Sequence, residues 1–391
     1  MSPEPKRLDL SLYFSREPVI LALLTGLAAV SFLAVTGLSR LFQAQQESLA
    51  VEWSARGAND LSAGRYQVAI TEFRTALQYS RDNDAYQLSL TQALLGLGKT
   101  DEAHVYLVNL WDRQPENAMV NLALARIAVQ KKETNDALRF YHNAIYATWP
   151  ADEETGRRKA RLELIDYLLR IDARTQAESE LIALEANTTD DAAQESQLGA
   201  LFLKVQDNNR ALAAFRESLK LDRRNPEAEA GAGEAAFNMG LYPTAERYLA
   251  TAVSANPDDA ASATLLKTTQ DVLRLDPFRP QISVAQRNRI VVDAFDVAGD
   301  RLQSCGLMGG DQLTEQQKRE ATLNTPARSL AAQWAKLKPQ ITESGLRGDP
   351  DLVNAAMNLA FAIENQKMAS CGEPTEADKA LTLIANLHEE N

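Results

Sequence analysis

Residues 50–83 read AVEWSARGANDLSAGRYQVAITEFRTALQYSRDN, and the positions that follow repeat the same spacing of small and large side chains. Ala69, Ala103 and Ala137 fall 34 residues apart, and so do Ala177, Ala211 and Ala245. Four residues after each alanine stands a large side chain: Phe73, Leu107, Tyr141, Leu181, Phe215 and Leu249. Three further on come Ala76, Leu110, Ala144, Leu184, Ser218 and Ala252. Twelve residues before the alanines lie Gly57, Thr91, Ala125, Ile165, Gly199 and Gly233. A fixed period of this length marks stacked supersecondary units, none of which can bury its apolar face alone.

The pattern resembles the tetratricopeptide repeat family, and Trp53, Gly57, Gly64, Tyr66, Ala69, Phe73 and Ala76 match it best. The resemblance implies an all-α solenoid in which each repeat is a pair of antiparallel helices. Small residues then sit where the two backbones approach, and the large one fills the gap to the next repeat. Gly64, Gly98 and Gly240 fall at the turn between paired helices, where positive φ ends the first one. Pro115, Pro150, Pro226 and Pro257 punctuate the connections. Six repeats are expected near 50–83, 84–117, 118–151, 158–191, 192–225 and 226–259, with a capping helix at 260–276 completing a solenoid over 50–276. The spacing from Ala137 to Ala177 is 40, so extra residues lie near 151–156 and predict a widened or kinked stack.

The resemblance also implies a concave groove lined by the first helix of each pair. At the family's ligand positions the early repeats present Leu88, Gln92, Leu95, Leu122, Arg126 and Val129, and the later ones Asp166, Arg170, Ala200, Lys204, Glu234, Phe237 and Asn238. We expect a peptide to dock here, near Leu88, Leu95, Leu122 and Arg126. Some family members hold a C-terminal carboxylate with Lys and Asn in the first repeat. Ser54 and Ala58 stand at those positions, which does not support that clamp.

Outside the repeats, Val19 to Leu38 form twenty positions without a charge, VILALLTGLAAVSFLAVTGL. At about 1.5 Å per residue this covers roughly 30 Å, the thickness of a hydrocarbon core. The stretch is long for a signal peptide and lacks a convincing cleavage site, so residues 18–40 are expected to be a transmembrane anchor. Lys6, Arg7 and Arg16 precede it, whereas only Arg40 follows closely. This asymmetry puts a tail of residues 1–17 in the cytoplasm and the remainder in the periplasm.

Past Pro277 the 34-residue period stops. Residues 277–391 read as a bundle of about four helices, starting at Ser283, Thr325, Asp349 and Thr375. Cys305 and Cys371, the two cysteines of the chain, both lie there. Outside the cytoplasm they are expected to form a disulfide, whose closed loop would add about 4 kcal/mol on the entropy model.

Composition narrows the function. The 391 residues carry 41 basic and 53 acidic side chains, a net charge of −12. Such acidity opposes binding to nucleic acid. Counted along the chain, residues 50–259 hold 23 basic and 32 acidic groups, so most of the excess belongs to the solenoid. Gly98-Lys99-Thr100 mimics the end of a phosphate-binding loop, but Ala93 stands where the motif needs glycine, and no nucleotide is expected. Three histidines without ligand spacing predict no metal. No nucleophile motif is present, so neither a cofactor nor a catalytic residue is expected. Asp293, Asp296, Asp300 and Arg301 are the polar candidates for an enzyme reading and read more simply as a solvated helix face. The expectation is a non-enzymatic, membrane-tethered scaffold that binds other proteins at the bacterial inner membrane. The alternative is a cytoplasm-facing docking platform.

Overall fold

The six alanines spaced along residues 69–245 are all fully buried, and the large side chains four residues after them are buried as well. They hold together a stack of short helices. The computed structural model describes residues 16–149, 153–188, 191–308, 325–366 and 373–389. Among them the elements are all helices, apart from one bridge pairing Asn117 with Thr148. In chain order these are α1 (Arg16–Ser62), α2 (Tyr66–Tyr79), α3 (Asp84–Gly96), α4 (Thr100–Arg113), α5 (Ala118–Lys131), α6 (Thr134–Tyr146) and α7 (Glu153–Arg170). Then come α8 (Arg174–Glu185), α9 (Ala192–Val205), α10 (Asn208–Leu221), α11 (Pro226–Asn238), α12 (Tyr242–Ala255) and α13 (Ala260–Leu275). The last five are α14 (Val284–Ser304), α15 (Thr325–Leu337), α16 (Glu343–Gly348), α17 (Asp351–Glu364) and α18 (Glu376–Glu389).

One turn chemistry recurs six times. Gly64, Gly98 and Gly240 have φ of 72°, 79° and 71°, as their position requires. Lys132, Asp172 and Gln206 fill the same register and take φ of 61°, 56° and 68° without being glycine. In each turn the next amide reaches back to the carbonyl five residues earlier, as in Arg65 to Asp60 (2.8 Å), Glu133 to Ala128 (2.9 Å) and Asp207 to Phe202 (3.1 Å). These bonds satisfy carbonyls that the ending helix leaves open. The starts of the first helices are equally regular: Asn83, Asn117, Asp191, Asn225 and Asp259 each accept at least one amide hydrogen bond of the following turn.

The chain forms two compact units, Met1–Tyr167 and Leu168–Asn391, and the division falls within α7. In the first unit, α1 runs for 47 residues, roughly 70 Å. Its apolar half continues without a break into the first helix of repeat one, where Gly57 lies against the Phe73 ring. Ile70, Phe73, Leu90, Leu94, Leu107 and Leu124 belong to the core behind it. The described residues on either side of the extra segment, Trp149 and Arg157, bond back to the third pair. The Trp149 indole donates to the Ala144 carbonyl (3.1 Å), and Arg157 Nε donates to that of Ile145 (2.9 Å). A Cβ at Gly156 would stand 2.3 Å from the Trp149 ring, so glycine is what admits that ring.

In the second unit Phe215 is wedged between Gly199 of its own repeat and Gly231 of the next, where added Cβ atoms would meet its ring at 2.9 and 2.1 Å. The terminal bundle is built onto this stack. Tyr242, Val272 and Leu275 share one core with Phe295, Met357 and Ile384. Thr268 on α13 donates to Glu376 on α18 (2.8 Å). Trp334 stacks on Phe295 with centroids 5.4 Å apart and donates to its carbonyl (2.9 Å).

Among the described residues the bundle holds one more helix than the periodicity predicts. The addition is α16, six residues capped by Thr342, too short to register as a period. Ser283 caps α14 through the Gln286 amide alone (3.2 Å), whereas Thr375 and Asp378 form a reciprocal capping box at α18. Cys305 is fully buried at the end of α14, and Cys371, its expected partner, lies outside the described residues.

Candidate peptide-docking groove

The expected docking residues all lie on the first helices of pairs, α3, α5, α7, α9 and α11. In the first unit their side chains are engaged with the chain itself. Leu88 and Leu95 on α3 pack against the core, and Gln92 between them is half-buried. Leu122 on α5 is only 3% exposed, and Val129 is half-buried. Arg126 is exposed but forks onto Glu163 of α7, with Nε donating to Oε2 (2.8 Å) and Nη2 to Oε1 (2.6 Å). Two parallel charge-assisted bonds fix both side chains, and the carboxylate pushes the guanidinium pKa further up. Asp166 is exposed on α7.

In the second unit α9, α11 and α13 enclose a cavity of about 1120 Å³. Ala200, Ala230 and Gly231 keep part of its wall free of bulk, and Gln197, Glu234 and Asn238 supply polar groups. Alanine and glycine in the wall would let a peptide backbone approach closely. The charged lining residues are Glu227, Glu234 and Asp259, all acidic. Asp259 is already committed. Its carboxylate caps α13 and accepts from the Ser262 hydroxyl (2.6 Å), which holds its pKa below the ordinary value. Glu227 and Glu234 are the other two carboxylates of the lining. Lys204 is exposed on α9 and does not line the cavity.

Hydrophobic patterning points to α3 and α5, yet their apolar residues are used in packing. The larger hollow is lined mainly by small and polar side chains, which leave no apolar signal. Only the groove register marks it, through Ala200, Glu234 and Asn238.

Elsewhere, Gly98-Lys99-Thr100 is the interhelical turn and the start of α4. Asp293 and Asp300 are exposed, and Asp296 accepts from Lys338. Arg301 departs from the expected solvated face: its side chain is 11% exposed and lies 3.9 Å from Asp378. Among the described residues, no three His, Cys, Asp or Glu side chains are grouped to hold a metal ion.

Comparison with known proteins agrees with the repeat reading. The tetratricopeptide repeat family model matches residues 60–127 and 202–268. No curated protein matches in sequence. Among solved structures, the chain is similar to YrrB, described as a TPR protein with an unusual peptide-binding site, at 15% identity over 50% of this chain and 97% of that one, with a TM-score of 0.41. The C-terminal part of a TPR repeat-containing protein from Cytophaga hutchinsonii is 14% identical over 61% of this chain and 92% of its own, with a TM-score of 0.45. PilW, a widely conserved type IV pilus biogenesis factor, is 14% identical over 56% and 98%, with a TM-score of 0.40. Likenesses this distant transfer no partner or pathway.

Proposed function

We propose that this chain, which belongs to the tetratricopeptide-repeat family, is a non-enzymatic scaffold tethered to the bacterial inner membrane that holds partner proteins through its first-helix grooves. The observation carrying the tether is α1. Its large apolar side chains between Val19 and Leu38 are all exposed, from 47% for Val19 to 71% for Leu38, and none of the described residues covers them. An exposed apolar surface of this extent is stable only within lipid or against a partner, and its length fits a single span. The basic residues ahead of it favour a cytoplasmic N-terminus with the repeats in the periplasm. In that compartment Cys305 pairs with Cys371.

The acidic groove of the second unit supports the docking role. Glu227 and Glu234 beside an alanine and glycine wall suit an extended peptide with basic and small side chains. Docking near Arg126 remains part of the proposal, with the Arg126–Glu163 pair opening to admit the ligand.

Two measurements test this reading. After carbonate washing the protein stays with membranes, and protease added to spheroplasts removes the repeats. Release by carbonate sinks the tether, and protection of the repeats moves them to the cytoplasmic alternative. Photocrosslinkers at Ala200 and Ala230 capture a partner that Glu227→Lys together with Glu234→Lys abolishes. Capture that survives both reversals removes the second-unit groove from the proposal.

A further inference from the structure

The same unit carries a second hollow, of about 560 Å³, built mainly by α10 and α12, with Glu229 of α11 in its wall. It is lined by Arg216, Lys220, Arg223 and Arg247, with Leu219 and Tyr248 between them. Four cations converging on one recess stand out in a chain of net charge −12. Among the described residues, Arg216, Arg223 and Arg247 have no carboxylate within ion-pair distance, while Lys220 contacts Glu217 at 2.5 Å. The Arg247 guanidinium lies over the Tyr248 ring, 4.7 Å from its centroid, which steadies it without neutralising it. One acidic group lines the recess, Glu229. Burial pushes its pKa up and Arg247 opposes that only in part, which makes it a weak counter-ion.

Arg216 and Lys220 lie one turn apart on the same face of α10, and Arg223 follows in the turn after the helix. Four helical residues rise about 6 Å, close to the roughly 6.6 Å between same-side residues of an extended strand. We propose that this hollow docks an extended acidic segment of a partner protein, with carboxylates at alternate positions meeting Arg216 and Lys220 and a third meeting Arg247. Leu219 and Tyr248 supply apolar contact beside the charges, which a partner side chain between the carboxylates can use. An anionic bilayer fits less well. The cations sit in a recess, and a flat surface reaching them would also press on the acidic solenoid around them. The surface is distinct from the groove of the proposed function and stands or falls separately.

The test uses the full chain in nanodiscs of neutral lipid, with a fluorescent peptide of alternating Glu and Ser followed by anisotropy at low salt. Saturable binding is expected, weakened about tenfold by Arg216→Glu with Arg247→Glu and reduced at high salt. Arg216→Gln with Arg247→Gln gives a smaller loss in the same direction, with an unchanged melting curve to exclude unfolding. The proposal is overturned if no saturable binding occurs or if charge reversal leaves it intact. It is equally overturned if a thymidine oligonucleotide of matched charge binds as tightly, or if phosphatidylglycerol vesicles displace the peptide at matched charge.

Discussion

Lys132, Asp172 and Gln206 hold a left-handed conformation that glycine fills at the equivalent turns of repeats one, two and six. A side chain with a Cβ takes that conformation at a cost of about 1 kcal/mol, accepted here because the flanking helices fix the turn. Gln206→Gly is therefore expected to stabilise the protein by about 0.5–1 kcal/mol, offset in part by the freedom glycine adds to the unfolded chain. Denaturant titration reads this directly, and a destabilised variant would refute it. Phe215 presents the opposite case, a ring with glycine on both sides. Phe215→Ala should cost about 3–5 kcal/mol, since two helix pairs lose their shared filler at once. Glu364 adds a pH dependence. Burial, reinforced by Asp378 and only partly offset by Arg301, pushes its pKa from 4.5 up to about 8. The folded protein keeps this carboxyl neutral where the unfolded chain ionises it. Its contribution is thus fully present below pH 4.5 and is lost as the pH climbs to about 8. Melting temperatures at mildly acidic pH and at pH 8 should differ less in Glu364→Gln than in the wild type. An equal difference in both would show that Glu364 is not the titrating group.

Among the elements, α1 joins two expectations that stood apart. The apolar stretch over 18–40 and the repeats from 50 were both legible, the first from twenty uncharged positions and the second from columns of small residues. Between them, residues 41–49 contain neither proline nor glycine, and the helix runs through. Two signals of different kind, apolarity and periodicity, hid the continuity of the backbone beneath. Other losses have equally local causes. Nothing in the types of Lys132, Asp172 or Gln206 advertises positive φ, and α16 is shorter than two periods. Leu88, Leu95 and Leu122 were readable as apolar but not as covered, because first helices have neighbours on both sides. The continuous α1 makes a mechanical prediction. Spin labels at Leu41 and Gln67 should show a narrow distance distribution, which insertion of Gly-Gly-Ser after Gln45 broadens without lowering helicity of the repeats. Equal widths in both proteins would mean that the anchor and the first repeat already move independently.

At the scale of the whole molecule, the terminal helices answer a problem that every open stack has: its last repeat presents an apolar edge. Here α13 covers α12, and α13 is itself amphipathic on a second side, where Val272 and Leu275 are fully buried. What buries them is the bundle, through α14 and α18, with Leu387 lying against the Gly240 turn. The residues after Pro277 thus act as an extended cap, which explains why they lack the period and still share a core with it. Removing residues 277–391 should expose Tyr242, Val272 and Leu275, each forfeiting about 1.5–3 kcal/mol of burial. The truncated chain is expected to bind a hydrophobic dye, to associate in solution and to lose its repeats at a lower temperature than the full chain. Val272→Lys with Leu275→Glu should restore a monodisperse truncated protein, because the exposed side of α13 becomes polar, while the same pair destabilises the full chain. A truncated chain that stays monomeric and melts as the full chain does would show that α13 closes the stack alone and leave the bundle needing another role.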